Sequence, residues 1–180
     1  MSKKQFKHSK ILSSCFPSGE SFLNEVVEIF EKHNAEISSE THMGKNKNLK
    51  SNDVLKILSN DLEGIGYKVE KGKSSKHKIT FTVDGTDQKF DVDAYNENTK
   101  TIIEIEAGRG WANNQFLKDL FEACVLPDIE YLIIAVKKIY QISNQPEKKD
   151  YENVKNYIDA LYKSRVRNMI PLKGILVIGY

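Results

Sequence analysis

Phe90-Asp91-Val92-Asp93-Ala94-Tyr95 and, a short turn later, Ile102-Ile103-Glu104-Ile105-Glu106-Ala107 place acidic and apolar residues at a period of two. Side chains two apart on a strand point the same way. Asp91 therefore shares a face with Asp93, and Glu104 with Glu106. The turn at Asn96–Thr99 is short enough to pair the two strands as a hairpin, which lays Asp93 beside the Glu104/Glu106 end of its neighbour. Three or four carboxylates then gather on one patch of a sheet. Like charges a few ångströms apart repel, burial adds a desolvation penalty, and Asp and Glu are poor strand formers. A divalent cation is the simplest group that removes the conflict. Hard carboxylate oxygens suit Mg2+, with Mn2+ as a substitute. Ile-Glu-Ile-Glu in isolation has a plainer reading, a half-exposed strand with its acids in water; the acids of the neighbouring strand argue against it.

Upstream, Lys78–Val83 alternates with Ile79, Phe81 and Val83 on one side, and Asp84-Gly85 is a hairpin signal. This strand, the next over Lys89–Tyr95, and Thr101–Ala107 read as an antiparallel meander. Lys71–Ser75 reads as a turn and Tyr67–Glu70 as a short strand. Before them, Ser51 or Asn52 caps a helix whose buried stripe is Leu55, Leu58, Leu62 and Ile65, and which Gly64 and Gly66 end. Ser38–Lys50 is polar and reads as a loop, and Phe22, Val26, Ile29 and Phe30 mark a helix over about 21–33. Residues 1–50 are thus expected to be a helical arm and loop, and 51–180 an α/β core, within a single domain overall.

Downstream, Trp111–Val125 reads as a helix with Phe116, Leu117, Leu120, Phe121 and Cys124 on its apolar face, stopped by Pro127. Tyr131–Val136 is a continuous apolar run, the mark of a strand buried on both faces. Asp150–Lys163 is a helix with Val154, Ile158, Leu161 and Tyr162 inward, and Gly174–Gly179 is a last apolar strand. Helices between the later strands imply parallel pairing there. The expected fold class is α/β, a mixed central sheet in the order αβββαβαβ flanked by helices, with the arm added in front.

An Asp at one strand, a short gap, then an acidic residue and its neighbour two on in the next strand resembles the PD-(D/E)XK superfamily of restriction-endonuclease-like proteins. The gap runs from Asp93 to Glu104, and Glu104-Ile105-Glu106 is the second half. By order of elements the resemblance covers Ser51 to Tyr180. The usual Lys is replaced by Glu106; some restriction enzymes of the superfamily carry Glu there. The resemblance implies that Asp93 and Glu104 bind the metal and that Glu106 orients or deprotonates water or serves as a further metal ligand. Asp91 is the alternative to Asp93, which is favoured because apolar Ala94-Tyr95 follows it. Family members often add an acid from the helix before the meander, here Asp53 or Glu63; a solvated helix acid is the plainer reading of either, and Asp53 suits a first helical turn in its own right.

In Gly108-Arg109-Gly110 the glycines permit close backbone approach or a tight turn, and Arg109 can hold a phosphate bidentately or sit at the surface. Gln115 and Lys118, one helical turn apart, are further candidates, since some family members carry Gln and Lys on the equivalent helix. Trp111 reads as a packing residue rather than a base-stacking one.

The chain has 180 residues, 39% hydrophobic and 29% charged, with a net charge of +2 that neither demands nor excludes nucleic acid. Lysines cluster in Lys3–Lys10, Lys45–Lys50, Lys71–Lys78 and Lys163–Lys173, either as solvated surface or as a polyanion-binding face. Cys15 and Cys124 fit no metal spacing and read as reduced structural thiols. No apolar run approaches the roughly 20 residues of a membrane span, and no signal-peptide stretch follows the basic N-terminus, so a cytoplasmic protein without membrane contact is expected. The acidic set favours an Mg2+-dependent endonuclease acting on DNA, double-stranded by preference and as a homodimer if a restriction enzyme. The absent Lys and modest charge favour the alternative, a nuclease-fold module that binds nucleic acid or assembles without catalysis. A third reading is an α/β interaction protein with surface acids.

Overall fold

The structure is a computed structural model and describes residues 10–17, 19–40, 49–72, 78–108, 110, 111, 113–140 and 146–180. In chain order the elements are β1 (Leu12–Phe16), α1 (Ser21–Lys32), α2 (Asn34–Ile37), α3 (Ser51–Gly64), β2 (Lys68–Val69), β3 (Ile79–Thr82), β4 (Lys89–Val92), β5 (Ala94–Asn96), β6 (Thr101–Glu106), α4 (Gln115–Val125), β7 (Tyr131–Val136), α5 (Asp150–Lys163) and β8 (Gly174–Gly179); a 3-10 turn over Arg165–Met169 precedes the last strand. Six strands form one sheet in the order β1-β8-β7-β6-β5-β2, and β3 with β4 forms a separate two-stranded ribbon.

The sheet is mixed, as the spacing of helices and strands implies. β6, β7 and β8 run parallel, each crossover being a helix, while β1, β5 and β2 join antiparallel. Period two divides each central strand between two cores. Ile103, Ile105, Ile133, Ala135, Leu176 and Ile178 meet α1 and α3 through Val26, Phe30, Leu58 and Leu62. Ile102, Leu132, Ile134, Ile175 and Val177 meet α4 and α5 through Phe116, Leu120, Val154 and Ile158. Helices on both faces explain why β7 and β8 are almost wholly apolar.

Three expectations need correction. The first concerns residues 1–50, expected as a helical arm and loop. They also hold β1, which pairs with β8 from Leu12↔Gly179 to Phe16↔Ile175 and forms an edge of the central sheet. α1 is equally a part of the core, with Leu23, Val26, Ile29 and Phe30 buried.

The second is the continuous meander. The strand expected over Lys89–Tyr95 breaks at Asp93: β4 pairs with β3, and β5 pairs with β6. The third is α4, which begins at Gln115 rather than Trp111 because Asn114 takes a left-handed conformation with φ 53°. Its buried face is Phe116, Asp119, Leu120 and Ala123. Phe121, expected inward, is 69% exposed. The apolar stripe is rotated, and an aspartate lies inside it.

Candidate active site

Register builds the site. β5 and β6 pair through Ala94↔Ile103 and Tyr95↔Ile102, so one more step sets Asp93 opposite Glu104. Asp93 occupies the break between β4 and β5. Its Oδ2 accepts the Ile105 N–H at 2.8 Å, and its carbonyl accepts the Glu70 N–H at 2.8 Å. Burial pushes the Asp93 carboxyl up to about 6, aided by the charge of Glu70 and opposed by the Ile105 hydrogen bond.

Glu104 and Glu106 alternate with Ile103 and Ile105 on β6, so they face the side of the sheet that α4 and α5 cover. Burial holds Glu104 well above the usual carboxylate range, and the charges of Asp93, Asp119 and Glu122 add to it while Lys118 opposes. Burial, then Asp93, pushes Glu106 up to about 7, again against Lys118. The Glu106 backbone is fixed from behind: the Tyr180 hydroxyl donates to its carbonyl at 3.2 Å, and Tyr180 is fully buried.

A fourth buried carboxylate lies on α4, the helix that packs on this face of the sheet. Asp119 is 2% exposed, and its Oδ2 has no hydrogen-bond partner. Burial pushes it up to about 8, with Glu106, Glu122 and Asp93 adding and Lys118 opposing. Lys118 beside it is ion-paired with Glu122 at 2.8 Å. The reading of the sequence passed over Asp119 as one acid among apolar neighbours. The available signal was its place three after Phe116 and four before Ala123, within a buried stripe.

The other candidates have separate roles. Asp91 pairs with Lys78 and accepts the Thr80 hydroxyl at 2.7 Å, which together hold its carboxyl below the usual range. It belongs to the β3–β4 ribbon, whereas Asp93 lies beyond the break. Asp53 accepts the Lys50 N–H at 3.0 Å and closes the first turn of α3. Glu63 is ion-paired with Lys71. Gln115 opens α4, one turn before Lys118. Trp111 stacks on Phe116 with ring centroids 5.5 Å apart, a packing role. Arg109 lies outside the described residues, as do the basic clusters over 3–9 and 45–48 and residues 73–77 of another.

The glycines flanking Arg109 do permit close approach. A Cβ on Gly108 would lie 2.9 Å from the Tyr140 ring, and one on Gly110 would lie 3.1 Å from Val136 Cγ1 and 3.2 Å from Glu106 Cβ. Gly110 thus lets the loop after β6 close over the stem of Glu106.

Hard carboxylate oxygens are the donor type that suits a divalent cation. Among the described residues, no three His, Cys, Asp or Glu side chains are drawn together as a formed coordination shell. Cys15 and Cys124 are free thiols. Among the described residues no helix is long and apolar enough to cross a membrane.

No protein-family model and no curated protein matches the chain. Among solved structures it is similar to the restriction endonuclease BglII, determined in complex with a DNA 16-mer. The identity is 16% and the TM-score 0.53, over 95% of this chain and 76% of that one. The likeness shows a restriction-endonuclease-like fold.

Proposed function

We propose that the chain is a metal-dependent endonuclease that hydrolyses phosphodiester bonds in DNA, as a restriction or other genome-defence nuclease. The observation that carries this reading is the gathering of Asp93, Glu104 and Glu106 against the sheet, at raised pKa, in a fold like that of a DNA-cleaving enzyme. Carboxylates that repel phosphate and one another serve no binding-only purpose.

Asp93 and Glu104 hold the cation, Mg2+ with Mn2+ as a substitute. When bound, that cation supplies charge to the scissile phosphate and acidifies water. Glu106 orients the attacking water and takes its proton; a carboxylate raised to about 7 is poised for that task near neutrality. Lys118, placed to act on Glu104, Glu106 and Asp119, offers a positive charge where the family's usual Lys is absent. Double-stranded DNA bound by two copies related by a two-fold axis is the expected complex.

The test is cleavage of plasmid DNA with Mg2+ and with Mn2+, using the parent and Glu104→Gln. Cleavage by the parent alone supports the reading. Glu in place of Lys at 106 and a net charge of only +2 favour a second reading, a nuclease fold used for nucleic-acid binding or assembly without catalysis. DNA binding with neither cleavage nor cation binding would establish that one.

A further inference from the structure

Among the described residues His33 is the one histidine, and it stands where three helices meet. It caps the C-terminal end of α1 and precedes α2. Both of its ring nitrogens meet carboxylates. Nδ1 lies 3.0 Å from Glu36 Oε1 of α2, and Nε2 lies 2.6 Å from Asp61 Oδ2 in the last turn of α3. An ionised carboxylate only accepts, and a neutral imidazole has a single N–H. Both contacts are hydrogen bonds only when the ring carries two protons. In the neutral ring, one of them sets a bare nitrogen lone pair against an oxygen.

The surroundings suit the charged ring. From α1, Lys32 donates to both oxygens of Asp61 at 2.8 Å, and with His33 it holds that carboxyl below its usual range, ionised. Glu25 and Glu28 of α1 line the cavity beside Asp61 together with Lys32. The end of α1 adds the negative pole of its dipole. The His33 side chain is 17% exposed, against 30% for Asp61 and 61% for Glu36, so the bond to Asp61 is the less screened of the two. Burial opposes the charge, but the bonds to Glu36 and Asp61 outweigh it and the His33 pKa is raised.

We infer that His33 is a proton-dependent latch: as an imidazolium it ties α2 to α3, and on losing its proton it gives up one of the two ties, so that α2 loosens as pH rises. The inference does not rest on the chemistry proposed for the strand carboxylates. It bears on their support, because the chain leaves α2 into Ser39, whose hydroxyl donates to the Tyr180 carbonyl at 2.7 Å, while the Tyr180 hydroxyl holds the Glu106 backbone. A folded-state pKa above the unfolded one gives a contribution that is full below about 6.5 and is lost as pH rises through the folded value.

The test is nuclear magnetic resonance on the full chain as the parent, His33→Gln and Asp61→Asn. The four histidines are distinguished by the signal that His33→Gln removes. In the parent, both His33 ring nitrogens should carry protons below its midpoint, and that midpoint should lie above the solvated value of about 6.5 and fall in Asp61→Asn. Glu36→Gln, at an exposed site, should lower it too and serves if Asp61→Asn does not fold. The Ile37 and Ser38 amides donate to the His33 and Asn34 carbonyls. Their hydrogen-exchange protection, corrected for intrinsic rates, should fall in the parent between about pH 6 and 9 and stay level in His33→Gln. A midpoint at or below the solvated value overturns the inference. So does protection that is flat in the parent, or that falls equally in both proteins.

Discussion

Asp93 Oδ2 accepts the backbone N–H of Ile105 at 2.8 Å, so the residue that interrupts one strand is fastened between the two glutamates of the next. The same carboxylate is a candidate ligand and a clamp. Asp93→Asn keeps an acceptor for Ile105 and should fold, while losing cation binding and cleavage. Asp93→Leu loses both, and leaving the Ile105 N–H unpaired should cost about 1–3 kcal/mol. Urea unfolding of the two variants, beside Mn2+ titration, separates the two functions. Equal destabilisation by both would show that the hydrogen bond is idle.

Glu106→Gln should fold, bind Mn2+ comparatively well and cleave about 100- to 10,000-fold more slowly, the range for loss of a positioned base. Single-turnover cleavage at saturating DNA measures this directly. A rate within a few-fold of the parent would remove Glu106 from proton transfer.

The raised carboxyls set a pH dependence of stability. Asp93 at about 6, Glu106 at about 7 and Asp119 at about 8 all exceed ordinary carboxylate values near 4. Between those limits the folded chain binds more protons than the unfolded one, so these groups lose stability as pH rises. Ion pairs whose carboxylates are lowered, such as Lys78–Asp91 and Lys173–Glu130, run the opposite way, with stability lost as pH falls. The difference between parent and Asp119→Asn isolates the first effect. The variant should gain on the parent in melting temperature as pH rises from about 6 to 9 in chelator. Added Mg2+ should stabilise the parent more at the upper end than at the lower. A difference flat with pH would contradict the raised Asp119 carboxyl.

Two glycines test close packing at different distances from the site. At Gly179 an added Cβ would lie 2.6 Å from Tyr151 Cγ, in the heart of the sheet–α5 contact. Gly179→Ala should cost about 1–3 kcal/mol through overpacking. At Gly110 the Cβ would press on Val136 and Glu106 at 3.1 and 3.2 Å. Gly110→Ala should cost less stability but lower cleavage more if the displaced Glu106 is the proposed water-orienting group. Melting temperature and cleavage rate, measured together, should rank the variants in opposite orders.

The parts most legible in the sequence were those that one physical pattern governs. Tyr131–Val136, Asp150–Lys163 and Gly174–Gly179 fall on the residues where apolar runs and helical spacing put them. Parallel pairing of the last three sheet-forming segments followed from the helices between them. β1 was not legible, because Leu-Ser-Ser-Cys-Phe on a sheet edge has neither a buried run nor clean alternation. The break at Asp93 was hidden because period-two spacing continues through Phe90–Tyr95 and carries no mark of a change of partner. The true face of α4 was missed because Leu117 and Phe121 are as apolar as Phe116 and Leu120, and only a position's neighbours decide which is covered. The same ambiguity concealed Asp119.

The separate pairing of β3 with β4 sets apart two jobs that a continuous meander would have joined. The ribbon enters after β2 and leaves at Asp93, and no strand of the six-stranded sheet takes a hydrogen-bonding partner from it. Its inner side is anchored by Phe81 on Tyr95, while Thr82 and Lys89 point outward. Mutation can therefore lengthen, shorten or repaint the outward side without shifting the register of β5 on β6. What the ribbon touches and what the proposed site binds can be altered separately by mutation, with Asp93 marking the change of strand partner between them.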